Sequence, residues 1–468
     1  MRSAGLSLAA LAFAVAGCSL APRYERPASP VAPELGTAGA PAGGAAVEDL
    51  GWRDVFGDER LKRLVALALE NNRDLRVAAL NVELTRAQYH IQRAELLPSV
   101  TASGGGTRQR VPADLSSSGA PVTATTYTVG LGAAFELDLF GRVRNLSSAS
   151  LEQYLATVEA RRSAHLALVA EVASQYLAER ALDDQVALSR RTLETVESSF
   201  ELTKRTYEAG RVSELDLRTA ESQVQTARFN LSAAQQQRAQ AENALVLLVG
   251  QPLPADLPQP MPLDDQGVLA DLPAGVRSEV LLRRPDILAA EHALRGANAL
   301  IGAARAAFFP SITLTAFGGS SSIELSSLFS GGAAMWSFSP QINLPIFRGG
   351  ALKAQLDVAT VRKSIQIAQY ERAIQVAFRE VADALVARAA IEDQLAAQRA
   401  RVEAEQRRYD LSDLRYRKGV DSYLNVLTAQ RDLFAAQQLL IQTRLAQLAA
   451  RVDLYRALGG GWREHPRQ

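Results

Sequence analysis

Cysteine is almost missing: Cys18 is the only one in 468 residues, which excludes a disulfide framework and any thiolate metal site. Histidine is nearly as scarce. His90, His165, His292 and His465 are scattered and never stand at metal-ligand spacing, so no metal and no cofactor is expected. An excess of one charge is also lacking, with 51 basic against 50 acidic side chains; no basic field exists to hold nucleic acid. Beyond the N-terminus no apolar run approaches the roughly 18–20 residues of a membrane-spanning helix. Phosphate loop, GxSxG elbow and HExxH are all absent, and nothing here reads as an enzyme. The adjacent carboxylates Asp183 and Asp184 read as a solvated helix face.

What is present begins with an address. Arg2 supplies a positive start, Ala4 to Ala16 form a short apolar stretch, and Val15-Ala16-Gly17-Cys18 follows. That tetrapeptide resembles the lipobox of bacterial lipoproteins, which implies cleavage before Cys18 and acylation of the cysteine. Residues 1–17 are then a signal peptide. Residues 18–50 form a lipid anchor and tether, because Pro22, Pro27, Pro30, Pro33 and Pro41 favour an extended chain that packs no core. Ser19, rather than Asp, follows the cysteine, and the lipoprotein resemblance implies the outer membrane as destination.

The rest is written twice. Residues 72–100 realign on 284–312 at an offset of 212, with Leu97-Pro98-Ser99-Val100 facing Phe309-Pro310-Ser311-Ile312. Phe135-Glu136-Leu137 matches Ile342-Asn343-Leu344 at 207, and Tyr207, Gly210, Ser213 and Leu215 match Tyr416, Gly419, Ser422 and Leu424 at 209. Collinear blocks at nearly one offset indicate duplication. The repeats are placed at 51–270 and 271–458, with a tail at 459–468. Each predicts a helix ended by proline (72–97, 285–308), a strand pair, a very long helix (142–209, 350–418), a glycine turn and a last helix (213–250, 421–457).

Within the strands, Tyr127, Val129, Leu131, Phe135 and Leu137 alternate with smaller or polar residues, as do Trp336, Phe338, Ile342, Leu344 and Ile346. Period two predicts a sheet with one apolar and one polar face; Glu136 and Asp138 fall on the polar side and are expected to line a pore. A soluble β-sandwich gives the same alternation, but four strands embedded among helices do not make one. Nor do four strands close a membrane barrel, and an open edge in lipid leaves backbone groups unsatisfied. A sheet of this size in a bilayer requires several chains.

The long helices carry a heptad ladder, Leu151, Val158, His165, Val172, Glu179, Val186, Leu193, Phe200 and Tyr207, repeated as Thr360, Ile367, Ile374, Val381, Arg388, Leu395, Val402, Tyr409 and Tyr416. That period makes a left-handed coiled coil. The two shorter helices of a repeat, end to end, equal the long one in length, giving two helical tracks per repeat and four per chain.

The lipobox, the segment Pro22-Arg23-Tyr24-Glu25-Arg26-Pro27, Gly51-Trp52-Arg53, Asn71-Asn72-Arg73-Asp74-Leu75 and the paired Tyr-x-x-Gly tips resemble the TolC-like outer-membrane efflux factors. Within them, the lipoprotein branch serving resistance-nodulation-division pumps is most similar. The resemblance implies a mainly α fold with a small β part: a homotrimer with a shared twelve-stranded barrel in outer-membrane lipid and a helical α-barrel crossing the periplasm. It further implies a passive exit duct, joined by a periplasmic adapter (membrane fusion) protein to an inner-membrane pump. By the same resemblance the periplasmic gate comprises Tyr416, Asp421, Leu424, Asn425, Thr428 and Arg431. Tyr416 would bond a neighbouring helix, Leu424 would form a constricting ring and Arg431 would pair across helices. Asn425 and Thr428 stand where relatives carry carboxylates, a departure from the family's pattern. Gly210, Arg211, Val212, Ser213, Gly419, Val420 and Ser422 are the tip residues expected to meet the adapter, with Ser213 and Ser422 as N-caps. Two other readings stay open: a type I secretion channel of the same architecture, and a structural coiled-coil lipoprotein without a pore.

Overall fold

The computed structural model describes residues 19–32, 34–35, 51–268, 276–277 and 281–460. The signal peptide, Cys18, most of the tether beyond residue 35 and the tail from 461 lie outside these residues. In chain order the main elements are α1 (Trp52–Val55), α2 (Glu59–Asn71), α3 (Arg73–Ala94), β1 (Ser99–Val111), β2 (Val122–Leu137), α4 (Arg142–Glu208) and α5 (Glu214–Val249). The second repeat follows as α6 (Pro285–Ala306), β3 (Ser311–Ser322), β4 (Ala334–Asn343), α7 (Ala351–Arg417) and α8 (Tyr423–Ala457). The expected grammar is present in both copies. At 1.5 Å per residue, α4 and α7, of 67 residues each, are about 100 Å long.

The chain divides into two units. One, built from residues 81–158, 289–371 and the N-terminal segment to 28, holds the sheet. Its strands are antiparallel in the order β1-β2-β3-β4, so the two hairpins meet through β2 and β3 with Phe135 opposite Leu314 and Gly130 opposite Gly319. That last pair must be glycine: a Cβ at Gly319 would lie 2.2 Å from the Val129 carbonyl oxygen. Among the described residues, the outer edges of β1 and β4 have no strand partner. Trp336, Phe338 and Ile342 stand exposed on one face of β4, the alternation that the sequence predicts, and Ile346 and Phe347 are exposed beyond its end.

Two expectations gain detail in this unit. Glu136 and Asp138 are both engaged within the chain. Glu136 accepts two bonds from the Arg142 guanidinium at 2.9 and 2.7 Å. Asp138 accepts from the backbone N–H groups of Val143 and Arg144 at 3.1 and 2.8 Å, satisfying donors that a helix start leaves open. Both are consumed by starting α4. The described part of the tether is extended, as expected, and residues 19–26 lie along α6.

The other unit comprises residues 29–80, 159–288 and 372–468. Trp52, Val55 and Phe56 bury beside Leu61, Leu64 and Val65 of α2, and Phe56 meets the Tyr455 ring edge-on at 6.2 Å. Asp58 is fully buried and satisfied: its carboxylate accepts from Tyr176 Oη at 2.6 Å and from the N–H groups of Arg60 and Met261 at 2.7 and 3.1 Å. A short strand pair joins Glu34–Leu35 to Val276–Arg277. The acidic pair of α4 is also not a simple solvated face. Asp183 bonds Arg180 and Arg238, while burial is the main cause that raises the Asp184 carboxyl above its usual range.

The end-to-end stacking inferred from helix lengths is present twice. Asn72 opens α3 by accepting from Leu75 N–H at 2.9 Å and donates to the Leu248 carbonyl, in the last turn of α5, at 2.9 Å. In the second copy Arg284, just before α6, donates to the Ala457 carbonyl at the end of α8 at 2.7 Å. Left-handed glycines, Gly250 at φ 78° and Gly459 at φ 77°, turn the chain out at each joint. A Cβ at Gly250 would sit 2.4 Å from the Asn71 carbonyl oxygen.

Candidate functional site at the paired helical tips

Both long helices end in the same turn. Gly210 N–H donates to the Tyr207 carbonyl at 2.8 Å and Arg211 N–H to Thr206 at 3.0 Å; Gly419 and Val420 repeat this with Tyr416 and Arg415 at 2.8 and 3.0 Å. The crossed pair of bonds, with φ of 69° and 72° at the two glycines, is a Schellman turn, which glycine enters without a Cβ clash. It reverses the chain in three residues and brings the last helix back beside the long one. The residues between are polar or exposed, as expected of docking tips: Gly210, Arg211 and Ser213, then Gly419, Val420 and Ser422 are exposed, and Val212 is half-buried.

The two hairpins share one apolar cluster. Ala220, Tyr423, Val426 and Leu427 are buried, with Phe200, Tyr409 and Tyr416 packed against them. Tyr416 lies 5.2 Å from Tyr423 between ring centroids, so within one chain it is a packing residue. Burial is the first cause that pushes the Tyr423 phenol up to about 12; the ring is neutral at any physiological pH. Tyr423 carries no mark in the sequence except an aromatic just after the helix cap, and sequence alone gives no reason to single it out.

The remaining gate candidates lie on the outer side of this cluster. Leu424 is an apolar side chain left 67% exposed. Asp421 gathers the turn: it accepts from Ser422 N–H at 2.8 Å, from the Asn425 amide at 2.6 Å and from Arg415 Nε at 3.1 Å. These donors, led by the backbone N–H, hold its carboxyl below the usual range. Asn425 is thus spent on Asp421, and the Thr428 hydroxyl donates back to the Leu424 carbonyl at 2.9 Å.

Among the described residues of one chain Arg431 contacts its neighbour Asp432 at 3.4 Å, and Arg408 of α7 bonds Asp432 between helices at 2.9 Å. Ser422 occupies the cap position of α8 without a side-chain cap bond, and its own N–H donates to Asp421. Ser213, by contrast, forms a full capping box with Asp216.

Cys18, the expected lipid attachment residue, lies outside the described residues.

The profile of the family described as outer membrane efflux protein matches two stretches, residues 64–251 and 276–460, one on each repeat. The chain belongs to the outer membrane efflux protein family. Among its relatives are the toluene efflux pump outer membrane protein TtgC and the antibiotic efflux pump outer membrane protein ArpC, both of Pseudomonas putida. Each is 52% identical over 474 residues, covering 100% of this chain and 98% of the relative. The open state of the Neisseria gonorrhoeae MtrE outer membrane channel is similar in structure, with a TM-score of 0.86 at 43% identity, covering 96% of this chain and 100% of that one. As a member of the outer membrane efflux protein family this chain is an outer-membrane efflux channel that reaches into the periplasm. Its fold is the one expected, mainly helical with a four-stranded antiparallel sheet in each chain.

Proposed function

We propose that three copies close into the exit duct of a tripartite efflux system. The observation that carries this is a pair of open surfaces at opposite edges of the chain. Among the described residues β1 and β4 end the sheet unpaired. The helix leading into β1 and the helix leaving β4 each expose an apolar stripe at coiled-coil spacing: Val77, Leu80, Leu84 and Ile91 on α3; Val358, Val361 and Ile365 on α7. Unpaired edges are costly in lipid, and two different edges on one chain call for a head-to-tail ring. Three copies give twelve strands and twelve helical tracks, and tracks about 10 Å apart form a ring near 38 Å across, leaving a lumen of roughly 28 Å.

In this reading Cys18 carries the lipid that holds the chain in the outer membrane. A periplasmic adapter docks on Gly210–Ser213 and Gly419–Ser422, and an inner-membrane resistance-nodulation-division pump supplies the energy. The duct binds no cofactor and catalyses nothing. The relatives' names point to apolar small molecules and antibiotics as cargo. Tyr416, Asp421, Leu424, Asn425, Thr428 and Arg431 form the periplasmic constriction. Single-channel recording in planar bilayers tests the reading. The duct is expected to show a low closed-state conductance that rises several-fold in the double variant Tyr416→Ala, Arg431→Ala. A protein that never conducts is a strut, and an unchanged current removes those two residues from the gate.

A further inference from the structure

Residues 20–26 run antiparallel to α6, rung by rung. Arg305 Nη1 donates to the Leu20 carbonyl at 3.2 Å. Ala21 lies on Gly302, where a Cβ would fall 2.8 Å from the Ala21 Cα. Asn298 Nδ2 donates to the Pro22 carbonyl at 2.7 Å. Tyr24 Oη donates to Glu291 at 3.1 Å, and the Arg26 guanidinium grips both oxygens of that carboxylate at 3.1 and 2.8 Å. Arg295 adds a bond to Glu291 at 2.7 Å and lies 5.1 Å above the Tyr24 ring. Glu291 is only 3% exposed, a buried carboxylate whose charge is met by two guanidiniums.

The helix positions used, 291, 295, 298, 302 and 305, recur at steps of four and three and so make a single stripe. The lengths also agree. From Leu20 to Arg26 an extended chain covers about 20 Å, and from Glu291 to Arg305 a helix covers about 21 Å. The strap is therefore in register along its length, with no slack between the Glu291 end and Ser19. Ser19 in turn donates to Asn145 Oδ1 at 3.2 Å. Asn145 sits in the first turn of α4, just after β2, and Arg305 sits at the end of α6, five residues before β3. Residue 19 is held where helices give way to sheet, and residue 18 is one peptide step, about 3.8 Å, beyond it.

We propose that this strap is a depth gauge: latched at Glu291, it fixes the lipid-bearing residue level with the periplasmic end of the sheet, so that the anchor and the strands meet the bilayer at one height. The proposal rests on the reading of Cys18 as acylated and of the sheet as membrane-spanning. A loose tether would hold the protein at the membrane equally well but would not set the height of the sheet.

The test uses the full-length chain in outer-membrane preparations. Trypsin cleavage at the Arg23–Tyr24 bond reports strap docking, semi-native gels report inserted trimer, and palmitate labelling reports the anchor separately. Glu291→Gln with Asn298→Ala is expected to speed cleavage at least ten-fold while palmitate labelling and far-ultraviolet circular dichroism stay at the wild-type level. Arg305→Ala, far from the buried carboxylate, is expected to speed it about three-fold. Deleting Leu20 and Ala21 shortens the strap by about 7 Å. That variant is expected either to release the latch, read as rapid cleavage, or to lose inserted trimer at least five-fold. Inserting Gly-Ser after Ala40 is expected to change neither. A shortened strap that stays protected with full trimer overturns the gauge, and unchanged cleavage in the Glu291 variant overturns the latch. Absence of palmitate from the wild type sinks instead the reading of Cys18 on which the gauge depends.

Discussion

The two tips share a backbone and little else. Gly210 and Gly419 turn the chain with the same pair of hydrogen bonds, and the position two residues after each cap is an exposed leucine, Leu215 and Leu424. Around that frame the side chains have exchanged duties. In the first tip Ser213 and Asp216 close a capping box. In the second, Asn425 stands where Asp216 would be, and the carboxylate has moved upstream to Asp421, which ties the cap to Arg415 at the end of α7. Glu214 of the first tip is exposed, whereas its counterpart Tyr423 fills the apolar cluster. A turn set by glycine and main-chain bonds leaves the side chains free to diverge: one tip is self-contained, and the other is wired to its long helix.

Breaking that contrast gives ordered outcomes. Tyr423→Ala empties the shared cluster and is expected to destabilise the tips by about 3 kcal/mol, while Glu214→Ala stays within about 0.5 kcal/mol. Hydrogen exchange of residues 405–430 and 200–225 reads both, and equal effects would erase the distinction between buried and exposed counterparts. Ser213→Ala is expected to cost about 1 kcal/mol, and Ser422→Ala close to nothing, because its side chain makes no cap bond; amide exchange in the first turn of each last helix is the measure. The smallest effect is that of acid. Asp421 titrates below its ordinary 3.8, so its contribution is complete above that value and is lost only as pH falls through the lowered one. Exchange rates over residues 415–425 should therefore stay flat from pH 7 to about 4 and rise only below it.

Much of this was legible because the duplication repeats its punctuation. Gly210 and Gly419 fix the helix ends, so α4 and α7 fall within a residue or two of the expected 142–209 and 350–418, and Pro98 and Pro310 close α3 and α6 equally well. The start of α3 was legible too, since the expected helix begins at 72 and asparagine is a favoured N-cap; the second bond of Asn72, to the Leu248 carbonyl, was not. The same holds for Glu291. Tyr24 and Arg26 lie more than 260 residues away from it, and neither period nor spacing marks such a pairing. At the tips, family pattern singled out Arg431, whereas the adjacent Asp432 makes the bond to Arg408. Adjacent charges on one helix read alike until the facing helix is seen.

The end-to-end joints in the tracks are unequal. Asn72 secures its splice with a single neutral amide-to-carbonyl bond. Arg284 secures the other with a guanidinium that also engages Asp286 at 2.7 Å and Glu380 of α7 at 2.8 Å. A rod in two pieces swivels where it is pinned least, so the asparagine splice of the first copy is expected to be the looser joint, and the arginine splice of the second the one held to its flanking helix.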